Sequence, residues 1–519
     1  MNFSSIDFIV FISYCLIILG LGIFVAKRKG TDDSEGYFLA SKSLPWWAIG
    51  TSIIAANISA EQMIGMSGSG FAIGLGIASY EWMGALTLIL VAKYLMPIFL
   101  KKGIYTMPQF LENRFDERVR VSLAVFWILV YIFVNLTSVL YLGALSMNTI
   151  LGIDLMTAII GLATFSAIYT IYGGLKSVAW TDVVQVTFLV IGGLATTYLA
   201  LDAYGQGSGP LTGFADLVRD VPGHFEMILD KSHEYYDDLP GISVLIGGLW
   251  IANISYFGFN QYIIQRALAA KSISEAQRGM MFAGYLKILM PLIVVVPGIA
   301  ALGFGDEFDQ ADKAYPWLLS NYVIEGLRGL TFAALIAAIA SSLSSMTNST
   351  STIFTLDIYK THFSKNPSEK KLVLVGRVVS FIAIAIAVIV APLLQNFEQA
   401  FQFIQEFTGF ISPGVVAIFL LGIFWKKATA NGALWAAILT IPLSFLFKWL
   451  TPGLPFLDRM GIVFLILCGV MVLISYFEGF KDDPKAVDYS KSMFHTGTVF
   501  NIGSIGICAV LAILYLLFW

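Results

Sequence analysis

Charge is what this sequence has least of. Only 13% of its 519 residues are Asp, Glu, Lys or Arg, about half the share of an ordinary soluble domain. A chain so poor in charge cannot cover a water-facing surface of its size. Histidine is scarce too. His224, His233, His362 and His495 all fall in polar connections, so none is placed to ligate a buried metal. The three cysteines, Cys15, Cys468 and Cys508, lie in or near apolar runs without ligand spacing and read as small apolar packers. Phosphate loops and nucleophile motifs are absent, which argues against an enzyme. A net charge of −3 gives no reason to expect a nucleic-acid partner.

What fills the sequence instead is apolar: 57% of residues are hydrophobic, the mark of a polytopic membrane protein in contact with lipid. The first run, Phe8 to Ala26, lacks a basic leader and a small-residue cleavage site, and reads as a retained helix. Runs of about 20 residues, enough to cross hydrocarbon, occur near 6–26, 46–70, 76–100, 122–149, 153–173, 182–203, 241–264, 279–304, 328–358, 373–394, 399–421, 430–449, 460–477 and 498–518. The expectation is an all-α chain of about fourteen transmembrane helices.

Lys and Arg set the orientation. Connections after odd-numbered helices carry Lys27, Arg28, Lys29 and Lys42, then Lys101, Lys102, Arg114 and Arg118, then Lys176, then Arg266 and Lys271. Further along come Lys360, Lys365, Lys370 and Lys371, then Lys426 and Lys427, then Lys481, Lys485 and Lys491. The alternate connections are mostly short or acidic. Basic loops then face the cytoplasm and both termini face outward, as for a multi-pass protein of a bacterial inner membrane.

Polar residues interrupt two of these runs. The second helix holds Asn57, Ser59, Glu61, Gln62, Ser67 and Ser69, and the seventh holds Asn253, Ser255, Asn260 and Gln261. Both contain the word Ala-Asn-Ile-Ser, at 56–59 and 252–255. Irregular backbone at membrane depth is tolerated only where it faces protein or a watery cavity. Glycines nearby (Gly65, Gly68, Gly70 and Gly258) are expected to permit the breaks. Interrupted helices at corresponding places in two halves point to a transporter built from inverted repeats. The units expected are 1–45 (first helix and cytoplasmic loop), 46–203 (first five-helix repeat), 204–240 (external loop), 241–425 (second repeat) and 426–519 (three C-terminal helices).

The ninth helix is dense in hydroxyls, reading AAIASSLSSMTNSTSTIF over 337–354. Some are expected to bond back to the preceding turn. Others, with free carbonyls near Ala55 to Ile58, would suit Na⁺, a hard cation that prefers oxygen. Glu81 and Lys287 are charges within spans, each costly enough there to need a partner or a task. Together with Asn57, Gln62, Asn253 and Gln405, they suit a ligand rich in hydroxyls. Tyr80, Tyr256, Phe257 and Phe401 suit the apolar faces of a sugar ring. No arginine is expected mid-span, which argues against an anionic substrate.

The stretches SIIAANISAEQ, SYEWM, IYGGLKSVAWTD, GFNQYIIQRALAAKS and AAIASSLSSMTNSTSTIFTLDIYK resemble the sodium/solute symporter family over nearly the whole chain. The resemblance implies a leucine-transporter-type 5+5 inverted-repeat core. It also implies inward movement of one Na⁺ with one sugar, galactose or glucose, and no organic cofactor. By resemblance, Na⁺ is held by carbonyls of Ala55, Ile58 and Ala338 and hydroxyls of Ser341 and Ser342, and leaves past Asp182. The sugar site is similar to Asn57, Gln62, Glu81, Asn253, Tyr256, Lys287 and Gln405. Tyr256 resembles the inner gate; Met66, Tyr80 and Phe401 resemble the outer one. Two positions depart from the galactose pattern: Gly84 replaces a serine and Phe257 a tryptophan. Another polyol in the same fold, such as inositol, is the alternative; an uncoupled channel or sensor is the reading from a different class. Sequence leaves the oligomeric state unread.

Overall fold

The computed structural model describes residues 3–27, 42–104, 106–305, 308–364, 367–396 and 400–519; the side chains of 22, 23, 25–27 and 169–179 are outside that description. Arg28, Lys29 and Lys365 of the expected basic loops therefore lie outside the described residues, as do the side chains of Lys27 and Lys176. The described residues form helices, with a single isolated bridge between Leu44 and Ala270.

Nine of these helices are long and apolar enough to cross a bilayer, and the bent pair Ala400–Gly409 and Ser412–Phe424 makes a tenth. The remaining expected spans are shorter or interrupted: Ser5–Leu21, Leu155–Ile168, and the two polar helices. The backbone is helical throughout Leu155–Tyr204, where the sequence suggests a connection at Lys176. No proline lies in that stretch, and a glycine pair alone weakens a helix without ending it.

The hydroxyl-rich helix Leu327–Ile353 sits at the centre. Its apolar window is 94% buried, against 28% or less for the spans Glu369–Gln395, Ala430–Leu450, Phe456–Phe477 and Thr498–Leu517. Small residues and hydroxyls let neighbouring backbones come close without a thick apolar layer. It packs on Leu155–Tyr204, Ser5–Lys27 and Trp46–Asn57. The last of these crosses Ile273–Gly303 at Gly50 and Gly279: a Cβ on Gly50 would lie 2.7 Å from the Gly279 carbonyl. Only glycine allows that crossing.

Both polar helices are broken. The first runs as Trp46–Asn57, then Ile58 turns extended (φ −76°, ψ 90°) before helix resumes in wide turns from Glu61. The second runs as Gly248–Ile254 and wide turns over Ser255–Phe259; Asn260 is extended (φ −80°, ψ 121°) and Gln261–Leu268 follows. Neither break falls on a glycine, contrary to the expectation. Gly68 and Gly70 instead give room to Asp312 and to the Val295 carbonyl. The shared word Ala-Asn-Ile-Ser also takes two conformations. Ile58 is extended, whereas Ile254 is helical (φ −65°, ψ −42°).

A third interruption separates the bent pair at Phe410 and Ile411. Its freed Phe410 carbonyl accepts from Thr440 Oγ1 at 3.1 Å and Ser444 Oγ at 3.3 Å. These bonds replace those that helical turns would supply.

Candidate functional site

At the first break, the Ser59 amide turns to the Asn57 carbonyl at 3.0 Å. An uninterrupted helix would have sent it to Ala55. The carbonyls of Ala55 and Ala56 instead lie 3.4 and 3.3 Å from Ser342 Oγ on the central helix. Carbonyl ends and a hydroxyl thus meet at one point, a set of hard oxygens that suits Na⁺.

Ser341, one residue earlier, hydrogen-bonds the Asp182 carboxylate instead. Asp182 also accepts from Ser52 Oγ at 2.5 Å and lies 3.4 Å from Arg266 Nη2. Arg266 donates further to Ser52 Oγ at 2.8 Å and Ser345 Oγ at 2.5 Å. The structure thus places Ser342 against the break and Ser341 against Asp182. Of the other hydroxyls, Ser345, Thr350 and Thr352 bond back to carbonyls of their own helix, as expected for several.

Arg266 corrects two readings. It lies in the helix Gln261–Leu268 and not in a loop, and it is buried among neighbouring helices rather than set on a surface; its side chain is 1% exposed. Arg114 is likewise buried, with Nε 2.6 Å from the Gly422 carbonyl. Both follow helical runs in sequence, so hydropathy alone assigns them to connections.

Above the break lies a cavity of about 60 Å³. Asn57, Gln62, Glu81, Asn253, Tyr256, Lys287 and Gln405 all line it, with Phe257 beside them. Lys287 Nζ bonds both Glu81 oxygens at 2.7 Å, and each side chain is 2% exposed. That pair satisfies two charges which would each be costly alone. Asn57 Nδ2 donates to the Tyr256 hydroxyl at 3.1 Å, and Tyr262 donates to it at 2.7 Å. On another wall, Tyr80 meets Phe401 edge to face at 5.3 Å, with Met66 lining the same space. A polar chamber therefore lies among aromatic side chains, next to the candidate ion site. A space of this size accommodates several waters.

Six polar lining residues escape the sequence reading as site residues: Glu61, Asn135, Ser255, Asn260, Thr408 and Ser412. Glu61 carried its own signal, a carboxylate within a span. Ser255 and Asn260 belonged to the polar cluster of the seventh helix; Asn135, Thr408 and Ser412 carried little, since single polar residues in apolar helices are common.

A model of the sodium:solute symporter family matches residues 37–440. The chain belongs to the sodium:solute symporter family. This symporter is 54% identical to a sodium/glucose cotransporter of Vibrio parahaemolyticus, over 99% of this chain and 98% of that protein. It is 33% identical to a sodium/myo-inositol cotransporter 2 of Oryctolagus cuniculus, over 85% of this chain and 69% of the relative. Its fold is that of a Na⁺-coupled sialic acid symporter solved in a substrate-bound outward-open state. The two superpose with a TM-score of 0.80 and 23% identity, over 91% of this chain and 98% of the other. The symporter thus has the all-helical, leucine-transporter-type architecture of Na⁺-coupled solute carriers.

Proposed function

We propose that this symporter carries a monosaccharide, galactose or glucose, inward with Na⁺ by alternating access. One observation carries the reading most. A cavity dense in donors and acceptors, with its lysine neutralised by Glu81, is joined to the broken helix through the Asn57–Tyr256 bond. A neutral, hydroxyl-rich ring matches such a wall.

In this reading Na⁺ binds among the carbonyls of Ala55, Ile58 and Ala338 and the hydroxyls of Ser341 and Ser342. Its charge fixes the carbonyl ends of the break. That holds Asn57 on Tyr256 and keeps the inner gate closed, while Met66, Tyr80 and Phe401 form the outer gate. Loss of Na⁺ toward Asp182 loosens Asn57, Tyr256 swings and the sugar leaves. Coupling is reciprocal, so Na⁺ tightens sugar as much as sugar tightens Na⁺. The membrane potential adds about 2.3 kcal/mol per charge for each 100 mV.

Counting the two broken and the two shorter helices as spans gives the fourteen-helix arrangement in a bacterial inner membrane, both termini outside. Residues 46–203 and 241–425 then form the two repeats. The likeness to a myo-inositol cotransporter, with Gly84 and Phe257, favours a second reading in which the cargo is a cyclic polyol. Liposomes with an inward Na⁺ gradient, and K⁺ as control, separate the two. Na⁺-dependent accumulation of labelled galactose that excess galactose suppresses supports the first. Accumulation of inositol alone moves the substrate to the second.

A further inference from the structure

The cavity wall holds two carboxyls and one cation. Its charged residues are Glu61, Glu81 and Lys287. Lys287 bonds both oxygens of Glu81, which leaves Glu61 as the carboxyl without a cation. Glu61 is 4% exposed, and its Oε1 has no hydrogen-bond partner among the described residues. No ion pair to it is found among those residues either; the Asn135 side chain hydrogen-bonds its carboxyl, and the Glu61 backbone amide donates to Ser59 Oγ at 3.1 Å. Two more acceptors lining the same cavity are equally unpartnered: Asn57 Oδ1 and Asn135 Oδ1.

A buried carboxylate without a cation is costly. The same cavity that leaves Glu61 single supplies Glu81 with a lysine, so pairing is within reach of this architecture. Three unpartnered acceptors in one chamber, one of them ionisable, are the complement of a group that brings three N–H donors and a positive charge. An ammonium group has that inventory. A neutral hydroxyl brings one proton and no charge.

We propose that the cavity accepts monosaccharides bearing a protonated amino group, with Glu61 as counter-ion and Asn57 and Asn135 as further acceptors. The proposal rests on the reading of this cavity as a monosaccharide site. The Glu81–Lys287 pair then serves the ring hydroxyls, and the Glu61 side serves the amine.

The test uses the full chain in liposomes with an inward Na⁺ gradient. Unlabelled galactosamine and galactose compete against labelled galactose at neutral pH, in the native protein and in Glu61→Gln. A charge-assisted bond predicts that galactosamine competes about tenfold better in the native protein. In Glu61→Gln the ratio falls close to one, and Glu61→Asp restores part of it. Equal competition in the native protein overturns the proposal and needs no variant, so poor folding of Glu61→Gln does not shield it. A ratio that survives in Glu61→Gln overturns it too, as does a variant that changes only the steepness of Na⁺ activation, which would assign Glu61 to an ion. Direct uptake of labelled galactosamine keeps the two readings apart. Na⁺-driven galactosamine uptake without galactose uptake supports the amine site and refutes the neutral-sugar reading. Galactose uptake with galactosamine excluded does the reverse, and uptake of neither refutes both.

Discussion

Gly84 and Phe257 touch. A Cβ built on Gly84 would lie 3.0 Å from the Phe257 ring and 3.2 Å from Asn253 Oδ1. The two places where the cavity departs from the galactose pattern are therefore one local arrangement, in which the ring leans on space a side chain would occupy. Gly84→Ser should crowd Phe257 and disturb Asn253. Overpacking of this kind costs about 1 kcal/mol or more, so KM for galactose should rise about fivefold. Adding Phe257→Leu to the serine should recover part of the loss. A lower KM in Gly84→Ser alone would mean that the missing hydroxyl matters more than the packing.

Ser342→Ala removes the hydroxyl that faces the Ala55 and Ala56 carbonyls. Ser342 does not line the cavity. The Na⁺ concentration for half-maximal uptake should rise about tenfold, and the sugar KM should recover once Na⁺ is saturating. Unchanged Na⁺ activation would remove this serine from the ion site.

Tyr256→Phe keeps the ring and deletes the oxygen that accepts from Asn57 and Tyr262. The effect of Na⁺ on sugar affinity should shrink by about 1 kcal/mol, or about fivefold. Sugar binding measured with and without Na⁺ checks this. A fall in affinity that is equal in both conditions would make Tyr256 a contact rather than a link.

The Glu81–Lys287 pair predicts an asymmetry in stability. Breaking a buried pair on one side costs about 3–5 kcal/mol, and replacing both partners costs far less. Lys287→Met should lower the unfolding temperature in detergent more than Glu81→Gln with Lys287→Met together. Both proteins should lose sugar uptake.

Asp312 predicts a dependence on pH. It lies in the connection between the helices Ile273–Gly303 and Leu327–Ile353, and its Oδ2 accepts from the Ala400 amide at 3.1 Å. Burial raises its pKa to about 7, against a smaller opposing pull from that amide. A carboxyl raised on folding favours the folded state at low pH, below its ordinary value of 3.8. That contribution fades as pH climbs through about 7. Asp312→Asn should therefore unfold at a higher temperature than the native protein above pH 7, by about 2 °C per kcal/mol. The gap should close toward pH 5. A constant gap across that range would place the effect in shape and not in charge.

Much of the site was legible because lipid makes polarity expensive. Asn57, Gln62, Glu81, Asn253, Lys287 and Gln405 stood out against apolar neighbours, and the cavity gathers all six. The break was legible as an event and not as a position. Its location follows from a serine 287 residues away that meets the Ala55 carbonyl, and no local pattern encodes that. Arg266 was misread for a similar reason: its burial depends on Asp182, 84 residues earlier. Glycine was read as the cause of the breaks, but here it marks close packing.

The carbonyls that Ser342 approaches belong to Ala55 and Ala56; the amide that reaches Tyr256 belongs to Asn57. The proposed ion site and the proposed gate are thus spaced by a single peptide unit. Helical residues are offset by about 100° each. One residue inserted between Ala56 and Asn57 would keep every cargo ligand in the chain, yet aim Asn57 away from Tyr256. On the proposed mechanism, chain length at this point is itself under constraint: substitutions there can be graded, but an insertion or deletion would leave two sites that no longer sense each other.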